Sequence, residues 1–367
     1  MMGLCSGNGR AIRHGSPYVC FLLELMERRP EASRPWMPRW LPHVAGYGLS
    51  AGCLAWVLHG YPLGELLPTF HALDWRWVLL AVVCDLGIYI VHGWRWKTLL
   101  GPVIRLGLWR TVQAVYIGLF ANEVLPFRPG ELIRVYLLCH WNDLRLSLGF
   151  ASIAVERLMD GFWMLAAFLI TAGFVKGIPK DMIILVQVMG ALIGAGSAIL
   201  IWILMRRQEA HAVIAESRWA ATLRHIVEGL HLMGNTRTMV SSMLISLLYF
   251  VLQIVTVYAL MKAYALDLSF WVAGGVLTIV RFATAVPNAP GNVGLIQVAC
   301  VLALGLFDVE RNDAKTFSLI MSVVQTLPLL VGGAVATALT GFNLGELRDR
   351  ARRSVNEVHP APATEEP

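Results

Sequence analysis

Charge is what this 367-residue chain has least of. Asp, Glu, Lys and Arg together make up 15%, against 57% hydrophobic residues and a mean hydropathy of +0.61. Ordinary globular domains carry about 25% charge. Too few charged groups are present to wet the surface of a 40.6 kDa soluble fold. The same figures exclude a disordered chain and a small disulfide scaffold. Lysine is scarcer still: 5 of the 30 basic residues, the other 25 being Arg. No basic stripe interleaved with aromatics appears, so the net charge of +6 does not point to nucleic acid. The six cysteines are scattered, none in C-x-x-C, and no His or Cys spacing matches a zinc site. No metal or cofactor is expected. What remains is a multi-pass, all-α membrane protein.

Residues 1–40 read as a polar, Arg-rich cytoplasmic lead-in. The apolar piece Tyr18–Met26 is short, broken by Glu24, and followed by no small-residue cleavage site, so it is not read as a signal peptide. Apolar runs then occupy 41–342, the expected transmembrane domain, and a charged, Pro-rich cytoplasmic tail follows at 343–367. Residues 206–237 form the largest polar insertion, with five Arg and Trp219; they suit a helix on the cytoplasmic leaflet or a solvated loop. With the N-terminus inside, the cytoplasmic segments carry 19 of the 30 Lys and Arg and the outer ones 6, which favours an N-in, C-in topology. Trp94, Trp96 and Trp109, beside Arg95 and Lys97, read as an interfacial aromatic belt.

Two apolar runs are too short to cross about 30 Å of hydrocarbon. Val112–Leu125 stops at Pro126, and Phe270–Val286 stops at Pro287. Both stops are spelled P-x-x-P-G, as Pro126-Phe127-Arg128-Pro129-Gly130 and Pro287-Asn288-Ala289-Pro290-Gly291, 161 residues apart. Proline ends a helix because it cannot donate an N–H and clashes with the preceding turn. Glycine permits backbone geometry and close approach closed to other residues. Each site therefore reads as a broken helix whose second part starts at Glu131 or Asn292, with N-terminal N–H groups suited to an anion. Non-helical backbone at membrane depth must be buried in protein or line a wet cavity. The expected architecture is about six full spans plus two broken or re-entrant helix pairs. The first pair enters from the cytoplasm and the second from outside, an inverted-repeat arrangement with a substrate site near the midplane.

The scarce charge collects at these breaks. Glu123, Arg128, Glu131, Arg134, Glu156, Arg157, Asp160 and Arg281 lie in or beside apolar segments and sum to zero. An ionised group at the bilayer centre costs at least about 2.5–3.5 kcal/mol, so pairing or a wet cavity must offset it. Arg128, Arg134 and Arg281 suit a bidentate grip on an anionic headgroup, with Glu131 and Glu156 orienting them. The alternative is a set of structural ion pairs. Glu156 and Asp160 share a helical face, with Arg157 pointing away. Asn122, Asn292 and Gly294 flank the breaks. Asp85, in the second apolar run, reads as a proton relay or as a buried acid bonded to a neighbour. No metalloprotease, nucleophile-elbow or P-loop motif is present. A lipid-modifying transferase using Glu131 or Glu156 as general base stays open.

These residues carry a resemblance. Asn122-Glu123-Val124-Leu125-Pro126-Phe127-Arg128-Pro129-Gly130-Glu131-Leu132-Ile133-Arg134 resembles the N-x-x-L-P-x-R-x-G-E-x-x-R motif of the lysylphosphatidylglycerol synthase transmembrane (flippase-like) family. Glu156-Arg157 with Asp160 is similar to its E-R-x-x-D segment, Pro287–Gly294 to its P-x-x-P-G-x-x-G segment, and Arg95-Trp96 to its R-W pair. Two positions depart: Asn292 stands where the family often has Gly, and Gln297 where it often has Glu, so no carboxylate role carries over to 297. The resemblance implies a non-enzymatic module of the bacterial inner membrane that moves a phospholipid, glycolipid or hopanoid across the bilayer. The Trp- and Arg-rich character suits the hopanoid-associated relatives. The family's aminoacyltransferase domain has no counterpart in these residues, so lysyl transfer is not expected. A transferase, or a scaffold docking an envelope-lipid enzyme through 206–237, is the alternative.

Overall fold

The computed structural model describes residues 41–59, 64, 66–125, 129–174, scattered positions between 184 and 199, 233–284 and 290–341. Arg128, Pro126, Pro287, the lead-in 1–40, most of the 206–237 insertion and the tail lie outside the described residues. Pro42–Thr340 form one compact unit.

Every regular element in the described residues is helical. We label them α1 (Leu41–Leu58), α2 (Leu66–Ala72), α3 (Trp75–Leu100), α4 (Leu108–Val124), α5 (Gly130–Trp141), α6 (Leu146–Phe174), α7 (Thr236–Ala263), α8 (Phe270–Ala283), α9 (Leu295–Gly305) and α10 (Arg311–Thr340). A 3-10 turn, Pro290–Asn292, precedes α9. By length and composition α3, α7 and α10 can cross a membrane. At 1.5 Å per residue, α8 and α9, with 14 and 11 residues, reach only ~21 and ~16 Å.

Residue pattern sets the orientation of α3. Trp75, Leu79, Val83, Leu86, Ile90 and Trp94 are exposed large side chains that recur at three- and four-residue steps, the spacing of one helical face. The opposite face, including Val78, Ala81, Asp85, Ile88, His92, Arg95 and Trp96, is buried. An apolar stripe bounded by tryptophan at both ends is a lipid-facing face with interfacial anchors. Trp75 and Trp94 are 19 residues apart, so ~28 Å of helix separates them, close to the hydrocarbon thickness. This corrects the expected belt: Trp94 and Trp109 are exposed, but Trp96 and Arg95 are buried in the protein.

The 161-residue offset of the two P-x-x-P-G segments runs through the whole fold. It carries α3 onto α7, α4 onto α8, α5 onto α9 and α6 onto α10. Packing repeats in the same way: α4 lies on α10 as α8 lies on α6, and α5 meets α6 as α9 meets α10. The most extensive helix pairing joins the related α3 and α7. They run antiparallel. The Asp74 N–H, before α3, donates to the Ala263 carbonyl at the end of α7 (3.1 Å), while Arg95 near the end of α3 donates to Ser246 in the first half of α7 (3.2 Å). Two like halves whose matching helices run in opposite directions form an inverted repeat.

The broken segments fold back as hairpins. Gly118 of α4 faces Arg134 of α5, and Asn122 faces Gly130, an antiparallel register. Gly130 has no positive φ. Its need for glycine is steric, since a Cβ there would collide with the Gly118 carbonyl oxygen. The second break uses glycine differently. Gly291 and Gly294 have φ of 66° and 89°, in the left-handed region that favours glycine. The two tips meet, with the Glu123 carboxylate against Gly291. Halfway along α1, the Ser50 hydroxyl donates to the Val293 carbonyl, so this helix crosses the second break.

Candidate functional site

A network of ionised side chains joins α3, α5 and α6. Glu156 of α6, 1% exposed, is its hub. Its Oε1 lies 2.7 Å from His92 Nε2, 2.7 Å from Arg95 Nη2 and 3.3 Å from Arg134 Nη2. Arg95 also pairs with Asp160, and Arg134 pairs with Glu131 at 2.6 Å. Arg157 bridges Glu131 (3.2 Å) and Asp160 (3.6 Å) at the outer side. The set holds three arginines and three carboxylates, so it balances when His92 is neutral. Each buried charge has a partner, as a low-dielectric site requires. Arg95 and Arg134 also lie over the faces of Tyr249 and Trp96, at 4.7 and 5.0 Å.

Local sequence places these groups. Glu131 and Arg134 occupy the first turn and a half of α5, one face of a helix that starts only because Pro126–Pro129 ended the previous one. Its free N-terminal N–H groups are the expected anion site. One of them, on Gly130, already donates to the Asn122 side chain at 2.7 Å and is buried. At the second break the Gly294 N–H donates to Gln297 Oε1 (2.6 Å), while Gln297 Nε2 donates to Ser322 (2.8 Å). An amide does both jobs, which accounts chemically for Gln at 297. The second helix thus begins at Leu295, three residues beyond the expected Asn292, because the 3-10 turn occupies Pro290–Asn292. Two buried amide atoms at the tips, Asn122 Nδ2 and Asn292 Oδ1, have no hydrogen-bond partner among the described residues.

Of the expected site residues, Glu131, Arg134, Glu156, Arg157 and Asp160 are brought together. Arg157 is 51% exposed, yet its long side chain curls back to both flanking acids. Arg281 does not join them. It belongs to the second repeat, where its guanidinium donates to Gln253 of α7 and lies within electrostatic reach of Asp85. On α3 the network residues His92 and Arg95 flank Trp94, at one edge of the lipid-facing stripe. Asp85 instead sits midway between Trp75 and Trp94. The structure adds His92 and Arg95 to the site. A signal for His92 is present in the sequence: Asp85, Tyr89 and His92 follow one face of the otherwise apolar stretch Trp77–Trp94.

A model of the lysylphosphatidylglycerol synthase TM region matches residues 43–333. The chain belongs to this family. Among its relatives are two UPF0104 membrane proteins of Methanothermobacter thermautotrophicus. One is 21% identical over 320 residues, covering 80% of this chain and 91% of that protein. The other is 22% identical over 307 residues, covering 77% and 91%. A UPF0104 membrane protein of Methanocaldococcus jannaschii is 23% identical over 231 residues, covering 62% and 96%. No solved structure matches the chain. The protein is therefore an all-α membrane protein of the lysylphosphatidylglycerol synthase TM type.

Proposed function

We propose that this protein moves a phosphate-bearing lipid across the cytoplasmic membrane, with N- and C-termini inside and no chemistry performed on the lipid. The observation that carries the reading is the self-balanced charge network with one exposed member. Arg157 presents its half-exposed guanidinium at the edge of the network, flanked by the partly exposed Glu131 and Asp160. A headgroup phosphate can take the place of either carboxylate on Arg157, while Arg95, Arg134 and Glu156 hold the frame behind it. The inverted repeat gives a second arrangement of the same parts, in which the hairpin tips open to the other side. The unpartnered amide atoms Asn122 Nδ2 and Asn292 Oδ1 supply polar contacts along the way.

An envelope-lipid enzyme acting beside the protein is a finer reading within the same proposal, whereas a hopanoid or glycolipid without phosphate lies outside it. Native mass spectrometry of the purified protein tests it. Wild type should retain a phosphate-bearing lipid through mild delipidation, and Arg157→Ala should lose most of it while folding normally. Equal retention by both proteins would remove Arg157 from the site.

A further inference from the structure

Asp85 is the least expected group in the molecule. It lies midway along α3, between the two tryptophan anchors, at the depth where an ionised carboxylate is hardest to solvate. It is 4% exposed. The Tyr89 hydroxyl donates to its Oδ2 at 3.1 Å, and no cation pairs with it among the described residues. Every member of the arginine network has a counter-ion; Asp85 has one phenol. The groups facing it are Tyr89 of its own helix, Tyr116 of α4, whose ring stands 4.8 Å from that of Tyr89, and Arg281 of α8, which is held by Gln253 of α7. From α10, glycine is what meets Tyr116, at Gly332.

Seven residues along the same face, ~10 Å towards Trp94, is His92. Its Nε2 meets Glu156 Oε1 at 2.7 Å and Arg134 Nη1 at 2.6 Å. One ring nitrogen cannot donate to the carboxylate and accept from the guanidinium at once. The two arrangements differ in the position of a proton. The other nitrogen, Nδ1, is buried with no partner among the described residues. Tyr249 of α7 packs edge-on to the His92 ring at 5.3 Å, and Arg95 completes the surroundings. The face of α3 therefore carries Asp85, Tyr89 and His92 in line, from the membrane centre to the charged network.

We propose that Asp85 binds and releases a proton in each transport cycle, that His92 and Glu156 exchange it with the cytoplasmic side, and that lipid movement is thereby driven by the transmembrane proton gradient. This rests on the lipid-transport reading. The proton enters from one aqueous phase and leaves to the other, so nothing else is consumed. Neutralising Asp85 removes the charge that the apolar centre disfavours and frees the second repeat to rearrange. Returning the charge makes Arg281 its nearest counter-ion.

The full chain, reconstituted in phospholipid vesicles with a headgroup-labelled phospholipid and an internal pH dye, tests this. At one proton per lipid, a gradient of one pH unit should drive up to about tenfold leaflet asymmetry of the label. Asp85→Asn should abolish the asymmetry, and Asp85→Glu should restore part of it. Infrared difference spectra across the same pH range should show a carboxyl band that shifts in Asp85→Glu and is absent in Asp85→Asn. Lipid movement indifferent to the gradient in wild type, or an undiminished response in folded Asp85→Asn, overturns the proposal and leaves the lipid reading standing. If no lipid moves but a gradient-dependent proton leak vanishes in Asp85→Asn, the lipid reading fails and the proton site stands.

Discussion

Replacing Glu156 by Gln removes the one carboxylate that touches three buried cations or potential cations. His92, Arg95 and Arg134 all lie within 3.3 Å of its Oε1. Breaking a buried ion pair by removing one partner costs about 3–5 kcal/mol. Arg95 keeps Asp160 and Arg134 keeps Glu131, so the loss belongs at the lower end, about 3 kcal/mol. For a body this size each kcal/mol moves the melting point by about 2–4 °C, giving a fall of about 6–12 °C. The assay is the fraction of monodisperse protein left after heating in mild detergent. Arg157→Ala is the internal control: the side chain is half exposed, and its pairs are worth at most about 1 kcal/mol. Added salt should not rescue Glu156→Gln, because buried pairs are poorly screened. If Glu156→Gln melts within about 2 °C of wild type, below the roughly 2–4 °C expected per kcal/mol, the network does not hold the three helices together. The same holds if Arg157→Ala falls further.

Gly130→Ala drives a methyl into the Gly118 carbonyl oxygen and should cost at least about 3 kcal/mol, while Gly305→Ala, with nothing within 4 Å, should be neutral or slightly stabilising; thermal melting separates them. Asn122→Ala frees the buried Gly130 N–H and should cost about 1–2 kcal/mol in the same assay, without changing the secondary-structure content seen by circular dichroism. Gln297→Leu strands the Gly294 N–H and removes the bond to Ser322, whose hydroxyl still donates to the Ser318 carbonyl, and should cost about 1–2 kcal/mol, whereas Gln297→Glu keeps the first bond and should cost less unless burial of the new charge dominates. Arg95→Leu leaves Asp160 and Glu156 short of a counter-ion and should lower the melting point more than Lys97→Leu, because Lys97 belongs to no ion pair among the described residues.

The duplication is legible in the sequence because proline and glycine are punctuation that no packing environment rewrites. Once Pro126 and Pro287 are aligned, the same offset places α3 on α7. The reason for the glycines is less legible. Gly130 serves close approach of α4 and α5, while Gly291 serves a left-handed turn, and only the backbone distinguishes them. Trp94 and Trp96 read together as a belt by proximity alone, although two residues step about 200° around a helix and cannot both face lipid. That periodicity also turns Arg95 inward. Arg281 groups with Arg134 in the sequence because both lie near a break, but the inverted repeat brings the two breaks in from opposite ends. Proximity to similar motifs is not proximity in space when the halves run antiparallel. Which carboxylate each arginine chooses depends on side-chain reach across three helices, and no spacing rule encodes that.

In the proposed function the half-exposed Arg157, between Glu131 and Asp160, serves a lipid in transit. The direct measurement is leaflet exchange in reconstituted vesicles: a headgroup-labelled phospholipid, an external quencher, and the rate at which inner-leaflet label becomes accessible. Wild type should expose the inner label far faster than protein-free vesicles do, and folded Arg157→Ala should slow it severely. Exchange of phosphate-bearing lipid labels no faster than in protein-free vesicles would contradict this reading.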